Sequence, residues 1–325
     1  MIFPGSRLAG WRDAAPHETY SINVDQGVQL EVLDFGGKGS PIVLLPGLGA
    51  TAHSYDDLAP RLAKSHRVIA LTRRGAGYSS KPDFGFDTAR LAQDVLAVMD
   101  EMHLPKVLLA GHSIAGEELT WLGGHHPERF YGLVYLDAAY DRSHDRDDPR
   151  KERLRELNRD LPPAPPISPQ ALVNYDAMSR YLEQQGRLVY PEGELIAFFN
   201  MDKPFVAGAP SIDARTQQAI DAAIRAPDYA AVKIPALAIY AFERADRPSP
   251  SWFDADDPEL ISNLAEIRKL GDALKRENMA AFEHGMENGQ VLALPDATHY
   301  LIQSNQQEIV DAIEAFAARR SDQGP

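Results

Sequence analysis

Ser113 lies in the stretch LAGHSIAGEE (109–118), after an apolar run and before a helix-like segment. A serine hydroxyl is a weak nucleophile unless a base takes its proton and the backbone holds it clear of the fold. A sharp strand-to-helix turn does the second through strained backbone, and it needs small residues two before and two after the serine. Gly111 and Ala115 fill those positions. The last glycine of the pattern G-x-S-x-G is displaced by one, to Gly116, and alanine meets the demand for a small side chain. The competing reading is a plain N-cap serine. Glu117 and Glu118 fall in the first helical turn, where acids complement the helix dipole, and no catalytic role is assigned to them. Ten histidines compete for the role of base.

The elements that must position these groups alternate along the chain. Residues 42–45 (IVLL), 68–71 (VIAL), 107–110 (VLLA) and 133–136 (LVYL) are short unbroken apolar runs. Such runs suit strands buried on both faces of a parallel sheet. Between them lie amphipathic stretches at 55–64, 88–102 and 114–125. The repetition predicts an α/β fold, a mostly parallel sheet flanked by helices. Upstream, 20–24 and 28–35 flank Asp25-Gln26-Gly27 and read as a hairpin leading into the sheet.

The alternation stops at Ala139. Residues 140–231 are charged, then proline-rich (LPPAPPISP, 161–169), then helical, and are expected to form an inserted cap. Residues 1–139 and 232–325 form the expected core, with further strands at 236–241 (ALAIYA) and 291–294 (VLAL) and a closing helix at 306–318. Residues 247–289 read as a second, shorter insertion.

Four landmarks occur in order: PGLGATAHSYDDLAPRLA (46–63), RVIALTRRGAGYSS (67–80), GHSIAG (111–116) and LPDATHYLIQSN (294–305). In this the chain resembles the α/β-hydrolase fold superfamily, over roughly residues 20–140 and 232–320. The resemblance implies a sheet of mostly parallel strands, an inserted helical cap, and a serine esterase-like site with its groups in the order Ser, Asp or Glu, His.

That order selects the base. His17, His53, His66, His103 and His112 precede Ser113. His125 and His126 end the helix after the serine, His144 enters the cap, and His284 lies in the second insertion. His299 alone follows the final strand and precedes the closing helix. Its neighbour Tyr300 reads as a packing or pocket residue. The resemblance also implies an oxyanion hole built from two backbone N–H groups, those of Ile114 and Leu48. Pro46 stands where the family usually carries histidine.

In the pattern of the family it resembles, the third member sits about four residues beyond the last apolar residue of ALAIY, where this chain has Arg244. Glu243 is one early and Asp246 two late. In some branches the acid ends the strand after the serine's helix, and here that residue is Asp137. The arginine at the usual place favours Asp137, with Asp246 next and Glu243 third.

Composition excludes other classes. The 325 residues carry a net charge of −14, which repels a phosphate backbone, so no nucleic-acid partner is expected. There is no cysteine, so disulfides, thiolate metal sites and a cysteine nucleophile are absent. Gly47-x-Gly49 and Gly75-x-Gly77 lack the third glycine of a dinucleotide fingerprint. No cofactor and no metal are read from the sequence. No run approaches the ~18 apolar residues of a membrane span. The opening MIFPGSRLAGWRDAAP has no signal-peptide pattern, and a cytoplasmic location is expected.

The expected function is hydrolysis of a small carboxylic ester or lactone by Ser113, His299 and Asp137 through an acyl-enzyme. A ligand receptor that lost turnover, and a cofactor-free lyase or perhydrolase, are the alternatives on the same fold. Serine in place of aspartate at the elbow argues against dehalogenase or epoxide-hydrolase chemistry. Phe198, Phe199, Met201, Trp252 and Phe253 are candidate pocket walls.

Overall fold

The computed structural model describes residues 13–143, 148–202, 207–244 and 249–321. The stretch 1–12, read above for a leader, lies outside these residues, as do His144 and Asp246. The apolar runs become one sheet of eight strands. They are β1 (Glu18–Asp25), β2 (Val28–Asp34), β3 (Pro41–Leu45), β4 (Arg67–Leu71), β5 (Val107–His112), β6 (Phe130–Leu136), β7 (Ala236–Phe242) and β8 (Gly289–Pro295). Their order across the sheet is β1-β2-β4-β3-β5-β6-β7-β8. β1 and β2 form the expected antiparallel hairpin, and Gly27 takes the positive φ that its turn requires. β2 is antiparallel to β4, and β3 to β8 run parallel. The central strands are buried on both faces, which is why their sequences do not alternate.

The helices are α1 (Ala59–Leu62), α2 (Thr88–Glu101), α3 (Gly116–His125), α4 (Pro149–Arg159), α5 (Tyr175–Gln184), α6 (Glu192–Phe198), α7 (Ala214–Ala223), α8 (Pro258–Gly285), α9 (Leu301–Ser304) and α10 (Gln306–Ser321). Two of the cores they bury flank the sheet, one on each face. One joins Val95 of α2, Leu119 of α3 and Phe282 of α8 to Val43 and Leu109. The other joins Leu62 of α1 and Ile309 and Phe316 of α10 to Leu44 and Ala110. This three-layer arrangement brings the ends of β3, β5, β6 and β8 together, where open α/β sheets bind ligands.

One expectation is corrected. The described part of residues 247–289 is not a separate insertion: it is dominated by α8, the crossover between β7 and β8. Its last turns belong to the core, with Phe282 fully buried edge-on against Tyr135 and Tyr229. Its earlier turns reach α4, where Arg153 forks onto Glu266. The charged sequence disguises this helix because only its last turns, with Met279 and Phe282, pack into the core. Among the described residues, no helix is long and apolar enough to cross a membrane.

Candidate active site

Ser113 follows β5 directly and has φ 56, a left-handed conformation that non-glycine residues seldom adopt. A short 3-10 turn over Ser113–Ala115 then runs into α3. The neighbours explain the small residues. A Cβ on Gly111 would lie 2.7 Å from Leu119 Cδ1 and 2.8 Å from Ala115 Cβ. The methyl of Ala115 already fills the space available. Gly116 has a separate reason: a Cβ there would lie 2.1 Å from the carbonyl oxygen of Ala138.

His299 follows β8 on a tight turn whose first residue, Asp296, has φ 60. Its Nε2 lies 3.0 Å from Ser113 Oγ and its Nδ1 lies 2.7 Å from Asp137 Oδ2. Asp137 directly follows β6 and is 2 % exposed. Its Oδ1 accepts the amide of Ala241 at 2.9 Å and the phenol of Tyr140. Lys275 of α8 stands 3.9 Å from that oxygen. Burial would raise the Asp137 carboxyl, but the His299 hydrogen bond and the Lys275 charge hold it below the usual carboxylate value. Glu243, the other described candidate, is exposed beyond β7. Arg244, at the expected acid position, faces Asp296 at 3.9 Å.

His112, set aside as a base because it precedes Ser113, has a different place. Its Nε2 lies 2.7 Å from the carbonyl oxygen of His299. Burial first, then the His299 charge, pushes its pKa down to about 3, so at neutral pH the ring is uncharged. With an acceptor opposite, the tautomer is fixed with the proton on Nε2, which donates to His299 and anchors that loop. The elbow therefore holds the His299 backbone as well as presenting the serine.

The loop after β3 approaches the same point. A Cβ on Gly47 would lie 2.9 Å from His112 Nδ1 and 3.5 Å from Ser113 Cβ. Leu48 packs against the apolar cluster that contains Ile114. Buried Arg73 braces this loop from behind. It donates to the carbonyls of Pro46 at 3.2 Å and Gly47 at 3.4 Å, and to Glu118 Oε1 at 2.7 Å. Glu118 is thus a buried ion-pair partner, more than the dipole-complementing acid expected from sequence. Arg73, Tyr140 and Lys275 were missed in the sequence. Tyr140 lies three residues past Asp137, but Lys275 is distant in the chain and carries no local signal.

Ser113 and His299 open onto a cavity of about 290 Å³. Its floor includes Gly47, Leu48 and His112. The segment between β6 and β7 supplies the opposite wall, with Leu182, Tyr190, Glu194, Leu195, Phe198 and Phe199. Burial raises the Glu194 carboxyl to about 8 against the lowering effect of hydrogen bonds from Thr51. Of the other candidate walls, Met201 packs into the core of that segment, and Trp252 donates its indole N–H to Pro162 at 3.2 Å.

A sequence profile for the alpha/beta hydrolase fold matches residues 40–234, more than half of the chain. The chain belongs to the α/β-hydrolase fold family. It is similar to the dihydrolipoyllysine-residue acetyltransferase component of the acetoin cleaving system of Pseudomonas putida, with 35% identity over 114 residues, 35% of this chain and 31% of that protein. It is similar to 3-oxoadipate enol-lactonase 2 of Acinetobacter baylyi, with 29% identity over 115 residues, 35% of this chain and 43% of the lactonase. The chain therefore spans less than half the length of these curated relatives. The solved structure of E-2-(acetamidomethylene)succinate hydrolase superposes with TM-score 0.65 at 17% identity, covering 93% of this chain and 99% of that one. At that identity the likeness is one of fold.

Proposed function

We propose that the protein is a serine hydrolase that cleaves a small carboxylic ester or lactone through an acyl-enzyme. The observation that carries this is the line Ser113 Oγ, His299 Nε2 at 3.0 Å, His299 Nδ1, Asp137 Oδ2 at 2.7 Å, opening onto a cavity. Ser113 Oγ attacks the substrate carbonyl carbon as its proton passes to His299 Nε2. The negative oxygen is held by the amides of Leu48 and Ile114, an arrangement worth several kcal/mol when preorganised. The tetrahedral species collapses, the C–O bond breaks, and His299 returns the proton to the departing alkoxide. His299 then takes a proton from water, whose oxygen attacks the acyl carbon; the bond from that carbon to Ser113 Oγ breaks, His299 returns the proton to Oγ, and the acid leaves. Asp137 keeps His299 in the tautomer with Nδ1 protonated and stabilises the imidazolium.

In this reading the β6–β7 segment is a cap over the site. Its apolar wall of Leu182, Leu195 and Phe198 suits an acyl or alkyl group. A cavity of about 290 Å³ is at the small end for ligand sites, which favours a compact substrate. The likeness to an enol-lactonase supports a lactone among the candidates. The test is fluorophosphonate labelling with hydrolysis of short aryl esters and lactones. Wild-type protein is expected to label at Ser113 and turn over, and Ser113→Ala to do neither. A wild-type protein inert to both probes overturns the reading.

A further inference from the structure

Away from Ser113, four donor side chains converge from two short segments. Asp13, His17, His53 and Asp56 each offer one atom, and these atoms all lie within 4.8 Å of one another. Their side chains are 17%, 5%, 6% and 3% exposed. Asp13 Oδ2 lies 3.1 Å from His17 Nε2 and 2.9 Å from His53 Nδ1, and Asp56 Oδ2 lies 3.2 Å from His53 Nδ1. A tetrahedral zinc ion with bonds of about 2.0 Å has donor–donor edges of about 3.3 Å. These three separations lie just below that edge, and all six lie within 4.8 Å.

Hydrogen bonding alone leaves this set incomplete. One imidazole nitrogen carries a single proton or a single lone pair, yet carboxylate oxygens from two segments close on His53 Nδ1. Asp56 Oδ1 is buried without a hydrogen-bond partner. A cation among the donors satisfies both carboxylates at once. The far nitrogens of both rings are held as in metal-bound histidines: His53 Nε2 faces Glu31 Oε1 at 3.3 Å, and His17 Nδ1 faces Thr19 Oγ1 at 3.3 Å. Gly193 of α6 keeps the site clear. A Cβ there would lie 2.6 Å from His53 Nδ1, 2.6 Å from Asp56 Oδ2 and 2.8 Å from Asp13 Oδ2.

We propose that Asp13, His17, His53 and Asp56 bind one divalent transition-metal ion, zinc by donor type, in a closed structural site. Two imidazoles with two carboxylates suit zinc better than calcium or magnesium, which take mainly oxygen. Four protein ligands leave no open position for chemistry. The ion ties the segment before β1 to the Ala52–Tyr55 turn, beneath Gly193. The next residue, Glu194, lines the cavity and accepts the amide of Thr51 at 3.1 Å. The ion thus seats the wall of the cavity. The proposal does not depend on the hydrolase reading.

The test uses the full chain, stripped with a chelator and titrated with zinc chloride by calorimetry, with elemental analysis and thermal unfolding. Wild-type protein is expected to take up one equivalent and to melt at a higher temperature with zinc. Asp13→Asn with His17→Gln, both near the edge of the cluster, is expected to weaken uptake by roughly 100-fold or more. Gly193→Ala is expected to weaken it through the added methyl. His125→Gln with His126→Gln, outside the site, is expected to bind as wild type does. Uptake far below one equivalent by wild-type protein overturns the proposal, and so does equal uptake by the Asp13/His17 variant. Where the Asp13/His17 variant fails to fold, Gly193→Ala supplies the comparison, and uptake by it equal to that of wild type overturns the proposal.

Discussion

The bare Cα of Gly116 faces the carbonyl of Ala138, so closely that a Cβ would sit 2.1 Å from that oxygen. This contact joins the start of the helix after Ser113 to the residue after Asp137. It sets how near the two ends of the proposed triad can come. Gly116→Ala must push the strand end away, because the obstacle is backbone. We expect a loss of about 1–3 kcal/mol in stability and at least about tenfold in kcat on an aryl ester, since a shift of 1 Å can cost ~100-fold. Ala115→Gly, at a helical position without positive φ, should cost about 1 kcal/mol and leave kcat within about twofold. Urea melts and ester kinetics on both variants decide this. A fully active Gly116→Ala protein would show that the spacing does not matter.

The acid can be named by substitution. Asp137 is buried and accepts from His299, Ala241 and Tyr140, whereas Glu243 is exposed. Asp137→Asn should leave His299 in the wrong tautomer and lower kcat by about 10³–10⁴, the scale of that change in a serine protease triad. Glu243→Gln, exposed beyond β7, should stay within about twofold, as surface changes do, and with Asp137 as the acid Asp246→Asn should keep its kcat as well. Circular dichroism separates a chemical from a folding defect. If Asp137→Asn keeps its kcat while either of the others collapses, the proposed acid is wrong.

Much of this was readable in the sequence, and the parts that were not share a cause. The strands were legible because both faces are buried, so no polar residue interrupts Ile42–Leu45 or Val107–Ala110. Ser113 and Ala115 were legible because a local turn dictates residue size. His299 needed only chain order. Arg73 and Glu118 were not legible as partners, since their pairing is made by packing between distant segments. Lys275 was hidden for the same reason, since its approach to Asp137 is made by packing between distant segments. The cluster of Asp13, His17, His53 and Asp56 has local spacings of four and three, but only the fold brings the two pairs together.

Phe198 is the expected gauge of substrate size. It lines the cavity, packs edge-on against Phe199 with ring centroids 4.8 Å apart, and lies 3.6 Å from where a Cβ of Gly49 would be. Phe198→Ala opens the wall without touching Ser113 or His299. The ratio of kcat/KM for a hexanoyl over an acetyl aryl ester should rise at least about tenfold, because each accommodated methylene is worth roughly 1–3 kcal/mol. Fluorophosphonate labelling should proceed as before. An unchanged chain-length profile would remove Phe198 from the acyl pocket.

His112 couples the elbow to pH. Its ring is neutral in the folded protein, with a pKa near 3 against an ordinary value of 6.5. Between those values the unfolded chain binds a proton that the folded protein does not. Stability from this group is therefore complete above about pH 6.5 and declines as pH falls toward 3. The slope approaches about 1.4 kcal/mol per pH unit for one proton. Asp137 behaves differently: its carboxyl is held below 3.8, so its contribution is lost only in stronger acid. Glu194, raised to about 8, also titrates differently on folding in this range, so urea unfolding at pH 4.5, 5.5 and 6.5 is compared between wild type and a His112 variant, which cancels the groups common to both. His112→Gln keeps a donor for the His299 carbonyl and removes the titration, so its stability should fall about 1 kcal/mol less per pH unit than that of the wild type. Parallel pH profiles would mean that His112 takes up its proton in the folded protein, and that its hold on the His299 loop is not the neutral hydrogen bond described above.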